Sequence, residues 1–132
     1  MLEIYPVEDK KEQERISKQC GQQFDADAMC YAAYVDDELA GACQFAIHGK
    51  RGYMLDISNV TGKDDREALF IMGRQTLNFI DLCGAHEACY TGEVRDEFLI
   101  KWIGFRKTET DGWFMDLNGF FEAPCKHDNE QQ

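Results

Sequence analysis

One stretch of the sequence, residues 52–74, constrains the fold more than any other. Residues 53–60 alternate apolar and polar side chains, which predicts a β-strand. A polar loop with Gly62 and several charged residues follows, and then a long segment with apolar residues at helical spacing. In α/β proteins, ligands bind where a strand leads into a helix, because the free N–H groups of the helix point into the loop. The stretch therefore predicts an α/β fold with a ligand site at this loop.

The rest of the chain predicts further strands and helices around this unit. Asp36 and Asp37 mark the turn of one hairpin, and Asp111-Gly112 marks the turn of another. The predicted strands are residues 2–6, 29–35, 39–47, 53–60, 87–91, 105–110 and 113–117, and the predicted helices are residues 7–20, 65–83 and 93–103. The order β-α-β-β-β-α-β-α-β-β predicts an α/β (α+β) fold with a mixed, mostly antiparallel sheet covered by helices. We expect residues 1–124 to form a single domain and residues 125–132 to form a polar tail.

The two later helices carry signals at their ends. Asp64 and Glu67 have the spacing of a capping box at the start of the helix of residues 65–83. Gly104 follows the helix of residues 93–103, which predicts a left-handed backbone at this glycine. The apolar face of that helix is predicted from three residues at helical spacing, Val94, Phe98 and Trp102.

Composition and charge exclude several classes of protein. The chain has 132 residues, of which 44% are hydrophobic, so it can bury the core of one domain. The net charge of −11 opposes binding to nucleic acid or to an anionic membrane, and Lys50-Arg51 is the one basic cluster. No apolar run has the length of a membrane span, and the N-terminal residues lack the pattern of a signal peptide. We therefore expect a cytoplasmic protein that binds neither nucleic acid nor membranes.

The six cysteines predict buried thiols. They are Cys20, Cys30, Cys43, Cys83, Cys89 and Cys125. The chain contains no Cys-x-x-Cys pair, and most of these cysteines lie within apolar segments. Structural disulfides and zinc sites need an oxidising compartment or a ligand spacing that this sequence does not suggest. The three histidines are scattered, so no metal site is expected.

The order of elements and three motifs resemble the GNAT family of N-acyltransferases. Residues 34–42 look like the hairpin of that family's second and third strands, and residues 55–60 look like its fourth strand, which precedes a long helix. Residues 98–105 look like its helix that ends in Gly-Phe before the last hairpin. The resemblance covers nearly the whole chain. It implies a GNAT-like fold and the transfer of an acetyl group from acetyl-CoA to an amine.

The resemblance also implies a position for acetyl-CoA. In the family, pantetheine pairs with the fourth strand where the fifth strand separates from it. The pyrophosphate lies on the N-terminus of the next helix, inside an Arg/Gln-x-x-Gly-x-Gly/Ala loop. The positions that correspond to this site are Ile57, Asn59, Val60, Lys63, Arg66, Gly73 and Arg74.

The loop of this chain departs from the family's motif. Only Gly73 and Arg74 match the last glycine and the basic residue after it, and only if the helix start is shifted by three residues. Asp64 and Asp65 carry the wrong charge for a phosphate site, although they suit a helix N-terminus without a ligand. The alternative to a CoA site is therefore an ordinary capped helix start.

The catalytic residues implied by the resemblance are Asp56 and Tyr90. Asp56 lies where many members have a carboxylate that acts as a general base, and its alternative is a solvent-facing strand residue. The family's tyrosine, which protonates the leaving thiolate, corresponds to Ile100, which has no proton to donate. In this chain, Tyr90 is the candidate that replaces this proton donor. The alternative role for Tyr90 is that of a packed tyrosine with a hydrogen-bonded hydroxyl.

The acceptor is expected to be an amine of a small molecule or of a protein. The family has two helices before its second strand, which wall the acceptor site, and this chain predicts one, residues 7–20. The acceptor pocket is therefore expected to be shallow or to be completed by a second copy in a homodimer. The alternative function is a non-catalytic GNAT-like protein that binds CoA or another small molecule, or that serves as an interaction module.

Overall fold

The computed structural model describes residues 1–121, and these contain seven strands and three helices in the predicted order. The elements are β1 (Leu2–Pro6), α1 (Lys10–Gln19), β2 (Met29–Val35), β3 (Glu38–His48), β4 (Arg51–Asn59), α2 (Arg66–Leu82), β5 (Glu87–Tyr90), α3 (Glu97–Ile103), β6 (Arg106–Lys107) and β7 (Trp113–Asp116). The predicted tail, residues 125–132, lies outside the described residues, and the domain boundary at residue 124 stays a prediction. No helix within residues 1–121 is long and apolar enough to cross a membrane.

All seven strands form one sheet in the order β1-β2-β3-β4-β5-β7-β6. Only β4 and β5 pair in parallel, and the other neighbours are antiparallel. The parallel pair results from α2, which carries the chain back along the sheet between these two strands. The predicted mixed, mostly antiparallel sheet is therefore confirmed.

The helices cover both faces of the sheet. On one face, Ile16 of α1 and Cys20, the C-cap of that helix, pack against small residues of β2 and β3. On the other face, α2 and α3 cover a larger core that includes Met54, Ile57 and Met72. Because side chains alternate along a strand, the part of β4 that follows Leu55 places Ile57 toward α2 and its neighbours toward α1.

The start of α2 is one residue away from the predicted cap. Asp65, rather than Asp64, is the N-cap, and its side chain accepts a hydrogen bond from the Ala68 N–H at 3.0 Å. The side chain of Asn59 fixes this residue, because it accepts from the Asp65 N–H at 3.0 Å and donates to the Asp65 carbonyl at 3.1 Å. The predicted capping pair of Asp64 and Glu67 is therefore wrong.

The third helix begins four residues later than predicted, at Glu97, with Asp96 as its N-cap. Its predicted apolar face is also wrong, because Val94, Phe98 and Trp102 are 40%, 58% and 39% exposed. The buried residues of α3 are instead Leu99, Ile100 and Ile103, which join the core beneath α2. Gly104 has a φ of 135°, so the positive φ predicted at the end of this helix is confirmed.

Candidate active site

β4 and β5 separate halfway along β4. Their pairing runs from Arg51 and Glu87 to Met54 and Tyr90, and the Thr91 N–H then donates to the Met54 carbonyl at 3.0 Å. From residue 55 to residue 59, β4 continues with no described strand on its β5 side. A strand edge without a partner presents free N–H and C=O groups to whatever lies beside it.

A β-bulge at Leu55 accounts for the separation. In the pairing of β3 with β4, Gln44 is opposite Asp56 and Phe45 is opposite Met54, which leaves Leu55 as the extra residue. A bulge bends its strand and increases its twist, so β4 turns away from β5 at this point.

Gly92 lets the chain that leaves β5 pass close to the bulge. A Cβ atom at Gly92 would lie 1.8 Å from the carbonyl oxygen of Leu55, so no residue with a side chain fits here without a shift of the backbone. The contact brings the chain after β5 against β4 at the point where the two strands separate.

A cleft of about 510 Å³ occupies the gap. It is lined by the free half of β4, the loop after it, the start of α2 and the buried face of α3. Five residues that the sequence analysis assigned to the cofactor line it: Ile57, Asn59, Val60, Lys63 and Arg66. Tyr90 and Ile100, at the two positions considered for the proton donor, also line it.

The N-terminus of α2 opens on this cleft. The N–H groups of Arg66 and Glu67, in the first turn, have no acceptor within the helix. They provide donors for an anion, supported by the helix dipole. The preceding loop is held in place because the Thr61 N–H donates to the Gln19 carbonyl at 2.9 Å.

Two cationic side chains that line the cleft near the start of α2 are paired with carboxylates. Lys63 Nζ lies 3.0 Å from Glu38 Oε1, and Arg66 Nε lies 2.7 Å from Asp96 Oδ2. Asp64 also lines the cleft and is exposed. An anion bound here would therefore compete with carboxylates for the two cations.

Gly73 and Arg74 lie elsewhere. Gly73 packs against α3, where a Cβ atom would come within 2.6 Å of Ile103 Cδ1. Arg74 donates to the carbonyls of Ile103 at 2.6 Å and Trp102 at 3.3 Å, at the C-terminus of α3. Both residues join α2 to α3 about two helical turns from the start of α2. Neither residue lines the cleft, so their positions do not support a role in binding the cofactor.

Asp56 is buried and paired. Its residue exposure is 9%, and its two carboxylate oxygens accept from Arg95 Nε at 3.0 Å and Arg95 Nη2 at 2.9 Å. The alternative of a solvent-facing strand residue is therefore wrong. Hydrogen bonding to Asp56 raises the pKa of the Arg95 guanidinium, which is cationic. Arg95 lies in a segment predicted to be helical, and no local sequence pattern indicates this contact.

Tyr90 is buried in the wall of the cleft. Its hydroxyl donates to the Glu93 carbonyl at 2.5 Å, and the backbone of Ile57 lies beside the same hydroxyl. Burial, with a smaller effect from Asp56, raises the pKa of Tyr90, so the hydroxyl keeps its proton at neutral pH. Ile100, 1% exposed, contributes an apolar surface to the same cleft.

Comparisons with known proteins connect this geometry to one fold. No protein-family model and no curated protein matches the chain. Among solved structures, an acetyltransferase from Bacillus subtilis in complex with CoA matches with a TM-score of 0.66 and 16% identity, over 89% of this chain and 99% of that chain. The ribosomal-protein-S18-alanine N-acetyltransferase from Escherichia coli matches with a TM-score of 0.68 and 10% identity, over 89% and 94%.

A third structure, a GNAT family acetyltransferase from Brucella melitensis in complex with acetyl-CoA, matches with a TM-score of 0.64 and 12% identity, over 88% of each chain. These three matches span 88–99% of the chains compared. Identities this low establish the fold alone. The chain therefore has the fold of the GNAT acetyltransferases.

Proposed function

We propose that the protein binds acetyl-CoA in the cleft between β4 and β5 and transfers the acetyl group to an amine of a small molecule or of a protein. The observation that carries the proposal is the free edge of β4 at residues 55–59, which leads directly to the N-terminus of α2. An extended amide-containing arm can pair with such an edge, and a pyrophosphate can bind the helix N–H groups. The Bacillus and Brucella structures, solved with CoA and acetyl-CoA, support this choice of ligand.

In this proposal, the protein accelerates the reaction mainly by holding the amine and the thioester in position to react. The neutral amine nitrogen attacks the carbonyl carbon of the thioester, a C–N bond forms and the C–S bond breaks. The surplus proton of the nitrogen ends on the thiolate of CoA. Backbone N–H groups at the edge of β4 are the donors available to the developing oxyanion. Tyr90 is the proposed donor for the thiolate, because its hydroxyl lines the cleft and is protonated, and its oxygen then takes up the surplus proton of the nitrogen.

A second candidate function is binding of CoA without catalysis. Two observations favour it. The carboxylate of Asp56 is fully engaged by Arg95, and the position of the family's helix tyrosine holds Ile100. Neither residue, as placed, moves a proton.

Calorimetric titration with acetyl-CoA tests the proposal. We expect saturable binding by the wild type and binding roughly tenfold or more weaker by Arg66→Glu, which reverses a charge at the start of α2. Arg15→Glu is the matched control, because Arg15 and Arg66 are 51% and 49% exposed in their side chains and each pairs with one carboxylate. This control should bind acetyl-CoA as the wild type does.

The outcomes separate the two candidates. No binding by the wild type, or equal weakening by both variants, contradicts a CoA site at this cleft. Binding together with release of free CoA thiol in the presence of amines supports the transferase. Binding without transfer to any amine in a broad panel supports the non-catalytic candidate.

A further inference from the structure

A second cavity, of about 500 Å³, lies next to the cleft and shares one wall with it. It is bordered by the connector after α1, by Leu55 and Asp56 of β4, and by the chain that leaves β5. Two residues, Gly21 and Arg95, line both cavities. Because Arg95 has a long side chain that reaches Gly21, it is the partition between the two spaces.

Three residues, Asp56, Gly21 and Glu93, hold the guanidinium of Arg95 in this position. It forms the paired hydrogen bonds to Asp56, and Nη2 also donates to the Gly21 carbonyl at 3.0 Å. Glu93 Oε1 lies 3.6 Å from the same nitrogen. Arg95 belongs to the segment between β5 and α3, outside any helix or strand, so its side chain can change rotamer without breaking secondary structure. Movement of this one side chain would join the two cavities.

We propose that Arg95 is the residue that determines acceptor specificity, because it leaves Asp56 only when the ammonium group of a cationic amine takes its place. This inference rests on the proposed acetyl transfer. The acetyl donor and the acceptor amine must come into contact, and Arg95 lies between the cleft proposed for acetyl-CoA and the second cavity. A buried carboxylate that loses its cation without replacement is strongly destabilised, so a neutral molecule does not displace the guanidinium.

The exchange also gives Asp56 a chemical role. With Arg95 in place, the carboxylate is occupied. Once the substrate ammonium replaces the guanidinium, it transfers one proton to Asp56, and the neutral nitrogen attacks the thioester carbon. The C–N bond forms, the C–S bond breaks, and the second proton of the nitrogen passes to the thiolate. Asp56 afterwards releases its proton to solvent, and Arg95 returns.

The charges around the second cavity agree with a cationic acceptor. Its lining includes three carboxylates, those of Asp25, Asp56 and Glu93, and a single cationic side chain, that of Arg95. When Arg95 leaves, the three carboxylates are the only charged groups that line the cavity. They attract a cation and repel an anion.

The test uses propylamine, which is an ammonium ion at neutral pH, and propanol as its neutral counterpart. We expect Arg95→Ala to bind propylammonium at least tenfold more tightly than the wild type, because the competing guanidinium is gone. Propanol should show no gain. Asp56→Asn should abolish the gain when it is combined with Arg95→Ala, and Arg95→Lys should restore competition.

Arg51→Ala is the matched control. Arg51 of β4 pairs with Glu87 of β5 at 2.7 Å, and its side chain is 30% exposed, compared with 29% for Arg95. Its removal changes the net charge equally, at the opposite end of the β4–β5 pair. A general gain in attraction for cations would therefore appear in both variants, whereas displacement from Asp56 appears only in Arg95→Ala.

Kinetics give an independent readout with acetyl-CoA present. Arg95→Ala should lower KM for propylamine without lowering kcat, and Asp56→Asn should lower kcat. The inference is overturned if Arg95→Ala and Arg51→Ala bind propylammonium with equal affinity, or if the KM of Arg95→Ala for propylamine is unchanged. In that case, acetyl-CoA binding by the same samples still upholds the proposed function. Failure of every sample to bind acetyl-CoA overturns both.

Discussion

Gly92 is the residue on which the shape of the site depends most directly. It carries the chain past the Leu55 carbonyl where β4 and β5 separate, at a distance that excludes a Cβ atom. We expect Gly92→Ala to lower the free energy of unfolding by about 3 kcal/mol and to weaken acetyl-CoA binding, because the backbone must shift. Chemical denaturation and calorimetry measure the two effects.

Gly62 provides the control for that substitution. It has a φ of 93° in the loop beside the cleft, but no atom lies within 4 Å of a Cβ built there. Gly62→Ala therefore incurs only backbone strain, about 1 kcal/mol. Equal losses of stability for the two variants would contradict a steric role for Gly92.

Tyr90 can be tested by removal of a single atom. Tyr90→Phe keeps the buried ring and loses the hydroxyl that faces the cleft. We expect kcat for acetyl transfer to fall by about 10²-fold, the usual loss for a general acid, while the dissociation constant of acetyl-CoA stays unchanged. Tyr53→Phe, also on the β4–β5 pair, is the control. An unchanged kcat in Tyr90→Phe would mean that the hydroxyl serves only to bond Glu93.

At the scale of elements, the N-terminus of α2 decides how well the cleft accepts an anion. Asp65 caps the helix through the Ala68 N–H, whereas Asp64 makes no such contact and lines the cleft. The two aspartates therefore differ in role: one stabilises the helix, and the other adds negative charge where the pyrophosphate is proposed to lie.

We therefore expect Asp64→Asn to tighten acetyl-CoA binding severalfold at low salt, because it removes a like charge near the phosphates. Asp65→Ala should instead destabilise the protein by about 1 kcal/mol through loss of the cap. Glu14→Gln, an exposed carboxylate on α1, controls for the change in net charge. Calorimetry at two salt concentrations measures the effect, and equal affinities of Asp64→Asn and wild type would exclude phosphate binding at this loop.

The third helix shows how packing between elements overrides a sequence pattern. Phe98 and Trp102 recur at helical spacing, yet they lie on the outer face of α3, where Trp102 stacks on Phe70 with 4.0 Å between ring centroids. The guanidinium carbon of Arg66 lies over the Phe98 ring, 4.7 Å from its centroid. The aromatic rings therefore pack against side chains of α2 at the surface, and the smaller Leu99, Ile100 and Ile103 fill the core.

At the scale of the whole molecule, the two-sided burial of the sheet determines the state of the cysteines. The five described cysteines are unpaired, and four are buried, namely Cys20, Cys30, Cys43 and Cys89. Burial raises the pKa of Cys20 to about 12 and that of Cys30 to about 11, so both stay as unreactive thiols at neutral pH. Cys83 is exposed.

Thiol counting tests this arrangement. Because Cys125 lies outside the described residues, the sample is the Cys125→Ser protein. We expect one thiol to react rapidly in the native state, and we expect all five to react after denaturation without reductant. Cys83→Ser in the same background should remove the rapid reaction. Fewer than five thiols after denaturation would reveal a disulfide and contradict the structure.

The sequence by itself determined the order of the elements and several of their ends. Alternation along a strand, turn residues such as Asp36 and Asp37, and a glycine after a helix act over a few residues, so they can be interpreted without the rest of the chain. Both aspartates have positive φ in the first hairpin turn, and Gly104 has positive φ after α3. The fold class followed from the same local signals, because their order leaves few ways to pair the strands.

Only the tertiary structure decided the composition of the site. The partner of Asp56 is 39 residues away in sequence, on a segment predicted to be helical. The bulge at Leu55 depends on how β3 and β4 pair, and Gly73 and Arg74 face α3 because α2 packs against it. These contacts are set by long-range packing and burial, whose free energy depends on which surfaces meet. A local sequence pattern contains no information about which surfaces these are.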